Sequence, residues 1–438
     1  MGSCSSKKDG EKSKSYALQV LDDHDGGINC MALSEDGSVL VTGSEDKTAR
    51  LWSTKTALCE CIGILQGHEG YITCVLLEEN FVLTGSSDST VRKWDISTCE
   101  CVQVFKGHKS VIYRMICTGD FVFTSSYDRT CLCWDFDTAE CVRVFRGHKR
   151  GVYPLIFIPA DEEEMSNGDM YNDEITTDIL ITGSADFTAR TWNFETGKCI
   201  KVFKGHKGAV TCMATDPLGK MLFTGSTDQT IKGWNLYKGD CLRTFEGHTA
   251  SVICLQVVNK MMYTGSSDHT GRAWVTDFGD CTRIYKGHRH TVSCIKYHDG
   301  LLLTGCGDGV CRVFEAKTGT QKQVFKGSPE FAINAFQIVD DKLFTGSHDG
   351  SVRVWDIRGL RDDGVFGKED TKDKDKMKEI EKMGGLDSAD NYQNGGTNGD
   401  TKIMIDDDAE YGQDNHAYQN GDLTLDERSR ERAVLDMV

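Results

Sequence analysis

The sequence predicts an all-β protein built from eight copies of one four-stranded unit, and three observations carry that reading. First, one pattern recurs eight times, as TGSEDKTARLW, TGSSDSTVRKW, TSSYDRTCLCW, TGSADFTARTW, TGSTDQTIKGW, TGSSDHTGRAW, TGCGDGVCRVF and TGSHDGSVRVW. The closing aromatics, Trp52, Trp94, Trp134, Trp192, Trp234, Trp274, Phe314 and Trp355, stand 40 to 42 residues apart except for one interval of 58. Second, a histidine precedes the pattern in the first seven copies, mostly as Gly-His after an aromatic residue, as in VFKGHKS and TFEGHTA. Third, runs such as YITCVLL, FVLTGS, TVRKWDI and CVQVF fill the space between these marks. They alternate or are uniformly apolar, are rich in β-branched and aromatic residues, and end at Gly, Asp, Asn or Ser turns. Each unit therefore reads as four short strands with no pattern of helix length.

Composition sets the limits. The chain has 438 residues, 39% of them hydrophobic and 27% charged, enough apolar material for a packed core. No window approaches the ~18 apolar residues of a membrane span, and GVYPLIFIP is half as long. The start carries no apolar signal segment, so the chain is expected in the cytosol with its 19 cysteines reduced and no disulfides. The net charge of −17 is uneven: −10 from Gly359 onward, −8 in residues 159–178 and +2 in the first fifteen residues, which leaves the body near −1. Nucleic-acid binding through broad positive charge is disfavoured.

Taken in chain order, residues 1–15 come first. MGSCSSKK places Gly2 behind the initiator Met and Ser6 at the hydroxyl position of an N-myristoylation sequence. Cys4 stands where a second, thioester-linked acyl chain is often placed, and Lys7, Lys8, Lys12 and Lys14 can meet anionic lipid. One acyl chain holds a protein only marginally, whereas two signals hold it stably, so the expectation is attachment to the inner face of a membrane. YALQVLDDHDG then reads as an outer strand with no unit before it. Residues 159–178, PADEEEMSNGDMYNDEITTD, interrupt the first two strands of the fourth unit. The eighth unit, after WDIRG, runs into polar sequence with no outer strand of its own. The acidic tail, 359–438, cannot bury enough apolar surface to offset its ordering entropy and is expected to be disordered, apart from a short charged helix near 372–383. Its end, LDMV, places Asp436 two before Val438, a weak likeness to ligands of carboxylate-capturing domains; a solvated tail is the preferred reading.

Within the units, Thr always lies four residues before the Asp and the aromatic six after it. His24/Thr42/Asp46/Trp52, His68/Thr84/Asp88/Trp94, His108/Thr124/Asp128/Trp134, His148/Thr182/Asp186/Trp192, His206/Thr224/Asp228/Trp234 and His248/Thr264/Asp268/Trp274 are complete sets. A hydroxyl, an imidazole and a carboxylate are also the components of a nucleophilic relay. Six copies argue for scaffolding instead, because an active site occurs once.

These marks, at this period, resemble the WD-repeat (WD40) family. The resemblance covers about residues 16–358 and implies an eight-bladed β-propeller, with a hydrogen-bonded His-Thr-Asp-Trp tetrad in each blade and no cofactor. The N-terminal strand is then expected to complete the last blade, removing exposed sheet edges. Two tetrads are incomplete: the seventh has His288, Thr304 and Asp308 but Phe314, and the eighth has Thr345, Asp349 and Trp355 but Ser328 in place of His. The least stable region of the ring is expected there.

Pairs such as CEC and CLC suggest metal binding, but the repeat phase explains them. Cys61, Cys101, Cys141, Cys199, Cys241 and Cys281 each fall seven before a Gly-His histidine, and Cys30, Cys74, Cys212, Cys254 and Cys294 each fall six after a repeat histidine. They are strand positions copied round the ring, and no metal site is expected.

For partners, the family resemblance puts the histidine loops and the Asp turns on one narrow face. There Lys109, Lys149, Arg150, Lys207, Arg289 and His290 form a basic arc on blades three to five and seven, joined by Tyr127 and Arg129. Against the bland alternative of a solvated rim, this predicts an acidic or phosphorylated protein ligand. Residues 159–178 fall on the opposite face. The expected activity is that of a non-catalytic, membrane-recruited interaction scaffold, monomeric apart from its partners. The alternative is a substrate receptor of a cullin-RING ubiquitin ligase, since 343–358, with Trp355, Asp356 and Arg358, looks like an adaptor-docking box. A heterotrimer β-subunit is disfavoured because the lead has no heptads.

Overall fold

A computed structural model describes residues 16–360 except 57, 161–176 and 329. The acylation sequence with Gly2 and Cys4, most of the acidic insertion, and the tail with its expected helix near 372–383 lie outside the described residues. The described chain forms thirty-two strands in eight antiparallel sheets of four, with no helix. In blade one, β2 (Ile28–Leu33), β3 (Val39–Ser44), β4 (Thr48–Ser53) and β5 (Glu60–Gln66) pair in sequence order, and the next six blades repeat that order.

The eighth blade is assembled from both ends of the ring. β30 (Ile333–Val339), β31 (Lys342–Ser347) and β32 (Val352–Asp356) are completed by β1 (Ala17–Leu21), which lies antiparallel to β32 with Ala17 opposite Trp355 and Leu21 opposite Val352. The Asp356 N–H donates to the Tyr16 carbonyl at 2.8 Å, and the Tyr16 ring meets Phe325 edge-on. The Gln19 side chain exchanges two 2.8 Å hydrogen bonds with the backbone of Cys59 in blade one. Closure thus satisfies the edge of β32 and ties it to its neighbour.

The hydrophobic core is divided into eight clusters, one at each interface between blades. Between blades two and three, Leu83, Val91 and Phe105 pack on Ile112, Met115, Leu132 and Trp134. The alternation seen in the sequence follows, because each sheet buries both faces in its interior and exposes its outer strand. The innermost strands β2, β6 (Ile72–Glu78), β10 (Ile112–Cys117), β14 (Val152–Ile158), β18 (Val210–Thr215), β22 (Val252–Val258), β26 (Val292–His298) and β30 touch in turn around a central axis. The Gly of T-G-S is needed where they meet. A Cβ on Gly85 would stand 2.5 Å from Cys74 Sγ and 3.1 Å from Ile112 Cγ2 of the next blade.

In blade four, Ile158 pairs with Ile179 of β15 (Ile179–Ser184), at the end of the hairpin remote from the Asp186 turn. The insertion therefore leaves from the face opposite the histidine loops. The Ala160 N–H donates to Asp178 Oδ1 at 2.8 Å and fastens its base.

Candidate functional site

The tetrads fix the geometry of the histidine face. His68 Nδ1 is 2.7 Å from Asp88 Oδ2, its Nε2 is 2.7 Å from Thr84 Oγ1, and the Trp94 indole N–H donates to the same hydroxyl at 2.8 Å. The corresponding distances for His206, Asp228, Thr224 and Trp234 are 2.8, 2.7 and 2.8 Å. One proton order satisfies every group: indole N–H to the Thr oxygen, Thr hydroxyl to His Nε2, and His Nδ1–H to the carboxylate. Burial opposes ionisation of Asp88, but hydrogen bonds from His68 and Thr90 outweigh it and hold the carboxyl well below the usual range. Burial in turn pushes His148 and His248 down, towards the neutral form this order requires. Thr84 and Thr224 are fully buried, so no substrate can reach the hydroxyls.

The same carboxylates place the basic arc. Asp128 Oδ2 accepts the N–H of Lys109, Asp186 Oδ2 that of Lys149, Asp228 Oδ2 that of Lys207 and Asp308 Oδ2 that of Arg289, all at 2.8–3.0 Å. The residue after each histidine is therefore anchored by its backbone while its side chain is exposed. Arg150 and His290 follow on the same loops and are exposed. The structure brings Lys109, Lys149, Arg150 and Lys207 onto consecutive blades and leaves Arg289 and His290 apart, across blade six. Tyr127, 51% exposed, and Arg129 occupy the intervening turn, Arg129 in the left-handed region with φ 72°.

Aromatic residues beside the arc escaped the sequence reading. The Tyr113 ring lies 4.7 Å from that of Tyr153 and 6.3 Å from that of Tyr127, and the Arg150 guanidinium sits 5.7 Å from the Phe187 ring centre. The signal was available, since Tyr113 and Tyr153 open the first strands of two adjacent blades where Thr, Ile, Ser or Asn stands in the others.

The residues of the adaptor-docking box divide. Trp355 is buried and donates to Thr345 Oγ1 at 2.9 Å, serving as the eighth tetrad's indole. Arg358 is exposed and grips Asp356 through Nη2 at 2.7 Å and Nε at 3.1 Å.

In both incomplete tetrads an arginine takes over. In blade eight, Arg353 Nη2 donates to Asp349 Oδ2 at 2.8 Å, on the carboxylate that elsewhere meets the histidine. In blade seven, Arg312 Nη1 lies 2.6 Å from His288 Nδ1 and 3.3 Å from Asp308 Oδ2, while the closest approach of His288 Nδ1 to an Asp308 oxygen, Oδ1, is 4.0 Å. A guanidinium can only donate, so Nδ1 must accept and Nε2–H must donate to Thr304 Oγ1 at 2.7 Å. Thr304 then donates to the Arg312 carbonyl at 3.3 Å, and the proton order of the six complete tetrads is reversed. Elsewhere the matching arginines Arg92, Arg190 and Arg272 lie outside, over the Trp rings. Phe314, smaller and without a donor, leaves Arg312 room to turn inward.

Blade seven also holds the one group of metal-ligand type among the described residues: donor atoms of His288, Cys306 and Asp308 lie within 4.8 Å of one another. Burial pushes the Cys306 thiol up to about 12. Arg312 already supplies a cation between the imidazole and the carboxylate, so the cluster is complete without a metal.

The repeat pattern matches the family described as WD domain, G-beta repeat, over residues 15–53, 59–95, 99–135, 197–235, 239–274, 279–315 and 319–356. The unmatched unit is the fourth, whose first hairpin carries the insertion. WD repeat-containing protein 86 of Homo sapiens is 52% identical over 211 residues, covering 46% of this chain and 53% of that protein. Mitochondrial division protein 1 of Mycosarcoma maydis is 35% identical over 81 residues, 18% of this chain and 10% of that protein. The chain thus spans about half the length of the first relative and a tenth of the second. Among solved structures, the computationally designed Ika8 protein superposes with a TM-score of 0.68 at 26% identity, over 78% of this chain and all of that one.

Proposed function

Because the chain belongs to the WD-repeat family, whose propellers generally serve as non-catalytic scaffolds for protein partners, we propose that it is a membrane-recruited scaffold holding an acidic or phosphorylated peptide on its histidine face. The observation that carries this reading is the anchoring of Lys109, Lys149 and Lys207 by the tetrad aspartates. Three cations are displayed from fixed backbone points on adjacent blades, on a body that is otherwise near neutral. Little loop ordering is then required on binding. Tyr127 and Arg129 add aromatic surface and a further cation at the blade-three end of the arc, where the buried Tyr113 ring backs Tyr127. Arg289 and His290 stand beyond blade six and serve a longer ligand. Acylation at Gly2 and Cys4 accounts for recruitment.

The test is affinity capture of partners, and of acidic and phosphorylated peptides, by the native chain and by a Lys109→Glu/Lys149→Glu/Lys207→Glu variant. Both proteins are checked for equal thermal stability. Selective loss of an acidic or phosphorylated ligand is expected. Retention of every partner refutes the histidine face as the binding surface. Membrane recruitment is tested separately with Gly2→Ala, which is expected to release the protein from membranes.

A further inference from the structure

We propose that the central channel is a binding site for a small polyvalent anion of phosphate type, anchored by Arg114 with Lys296 opposite. This is independent of the peptide reading above.

The starting point is a paired departure from the repeat. Five blades carry Cys at the third position of the innermost strand, as Cys30, Cys74, Cys212, Cys254 and Cys294, facing the Gly of T-G-S on the second strand. In those blades the thiol fills the slot towards the next blade, and a Cβ on the glycine would approach the sulfur to 2.4–2.7 Å. Blade three changes both partners together: Arg114 pairs with Ser125. Ser125 is fully buried, and its hydroxyl donates to the Tyr153 carbonyl of blade four at 2.7 Å. The slot is closed by that side chain, and a guanidinium cannot share it. Arg114 instead borders a cavity of about 250 Å³ together with Thr211, Cys212, Met213 and Cys254 of blades five and six. Its charge is felt as far round the ring as Cys30 and Cys74, in blades one and two.

No acid answers this cation. The Arg114 side chain makes no hydrogen bond or ion pair among the described residues, in contrast to those of Arg312 and Arg353, each of which has an aspartate. Of the eight innermost strands, only β6 carries an acid, Glu78, at its far end. The one other lysine or arginine on these strands is Lys296 of β26, in blade seven. Blades three and seven are four apart in a ring of eight, so the strands that carry the two cations, β10 and β26, stand on opposite sides of the axis. Lys296 is half-buried and donates only to the Gln337 amide, at 3.0 Å. A half-buried guanidinium left without a counterion is stabilised by an anion, and its planar fork matches phosphate oxygens.

The experiment is calorimetric titration of the full chain with inorganic pyrophosphate at low ionic strength. It compares the native protein, Arg114→Gln, Arg114→Ala, Lys296→Gln and the triple charge reversal of the arc. One equivalent is expected to bind, with affinity falling about tenfold or more in both Arg114 variants, as for loss of a charge-assisted contact. A smaller fall is expected in Lys296→Gln, and no more than about a twofold change in the arc variant. Unchanged melting temperatures show that the variants fold. Absence of binding to the native chain, or equal binding by Arg114→Gln, overturns the channel site and leaves the peptide reading untouched. Loss in the arc variant with retention in Arg114→Gln moves the anion to the histidine face and likewise overturns it.

Discussion

Replacing Thr84 by valine removes the hub of a complete tetrad while keeping its shape. The hydroxyl accepts from the Trp94 indole at 2.8 Å and meets His68 Nε2 at 2.7 Å, and all three groups are buried. Two buried polar groups lose their partner, each costing about 1–3 kcal/mol, so the substitution is expected to cost about 2–6 kcal/mol. Thr304→Val in blade seven provides the internal comparison. Phe314 has no N–H to orphan, so the losses are the His288 contact, at about 1–3 kcal/mol, and the long 3.3 Å bond to the Arg312 carbonyl. The readout is urea unfolding combined with blade-resolved hydrogen exchange, following the amides of Phe81–Ser86 and Leu301–Cys306. A Thr84→Val/Trp94→Phe double variant should recover some of the loss, since the orphaned donor is then gone. Equal costs for Thr84→Val and Thr304→Val, within about 0.5 kcal/mol, would refute the assigned contribution of the indole-to-threonine bond.

Acid should destabilise the ring in two stages. The tetrad histidines His148 and His248 are pushed down by burial, so the unfolded chain binds more protons below about pH 6.5 and their contribution falls as pH drops through that region. Asp46, Asp88, Asp128, Asp186, Asp228 and Asp268 are also held below the usual range, so a steeper loss follows below about pH 4; a stability profile flat from neutrality to pH 4 would contradict the histidine sign, and one that stays flat below pH 4 the aspartate sign. Blades seven and eight, where arginine replaces a tetrad contact, should exchange amide protons before the rest; uniform protection around the ring rejects this. Deleting residues 16–21 bares the edge of β32 and should produce oligomers on size-exclusion chromatography, whereas an unchanged monomer of unchanged melting temperature would show closure to be dispensable. Arg358→Ala should leave the set of captured partners unchanged, and loss of ubiquitin-ligase adaptors from the capture would favour the alternative reading.

The fold was legible because it is periodic. Eight aromatics at a near-constant interval define the units, and a strand missing at one end with a spare at the other defines how they close. The tetrads were legible for the same reason, as co-recurring residue types at fixed offsets. Single departures were harder to read. Phe314 and Ser328 were visible as gaps, but nothing in the letters shows that Arg312 and Arg353 turn inward to fill them, since Arg50 and Arg92 occupy the same phase without doing so. Arg114 was hidden differently. The sequence displays TSS in place of TGS, and only the register between β10 and its neighbour, where Arg114 faces Ser125, makes the two changes one event. The metal-ligand geometry of His288, Cys306 and Asp308 depends on distances that spacing alone does not encode.

The strand that closes the ring is also the strand that follows the proposed acylation sequence. Under the proposed acylation, a pull between a bilayer and a partner would reach the ring through β1, and from there its ladder with β32. Antiparallel strands loaded from one end unzip by single hydrogen bonds in succession, starting here at the Tyr16–Asp356 bond. The Gln19–Cys59 exchange and the Tyr16–Phe325 contact sit at that loaded end and act as its fasteners. Closure also sets an order of assembly. β1 is made first and its partner β32 last, so a nascent chain carries an unpaired first strand until the eighth unit has been synthesised. An anchor acylated early would hold that open strand at the membrane surface while the other blades form behind it.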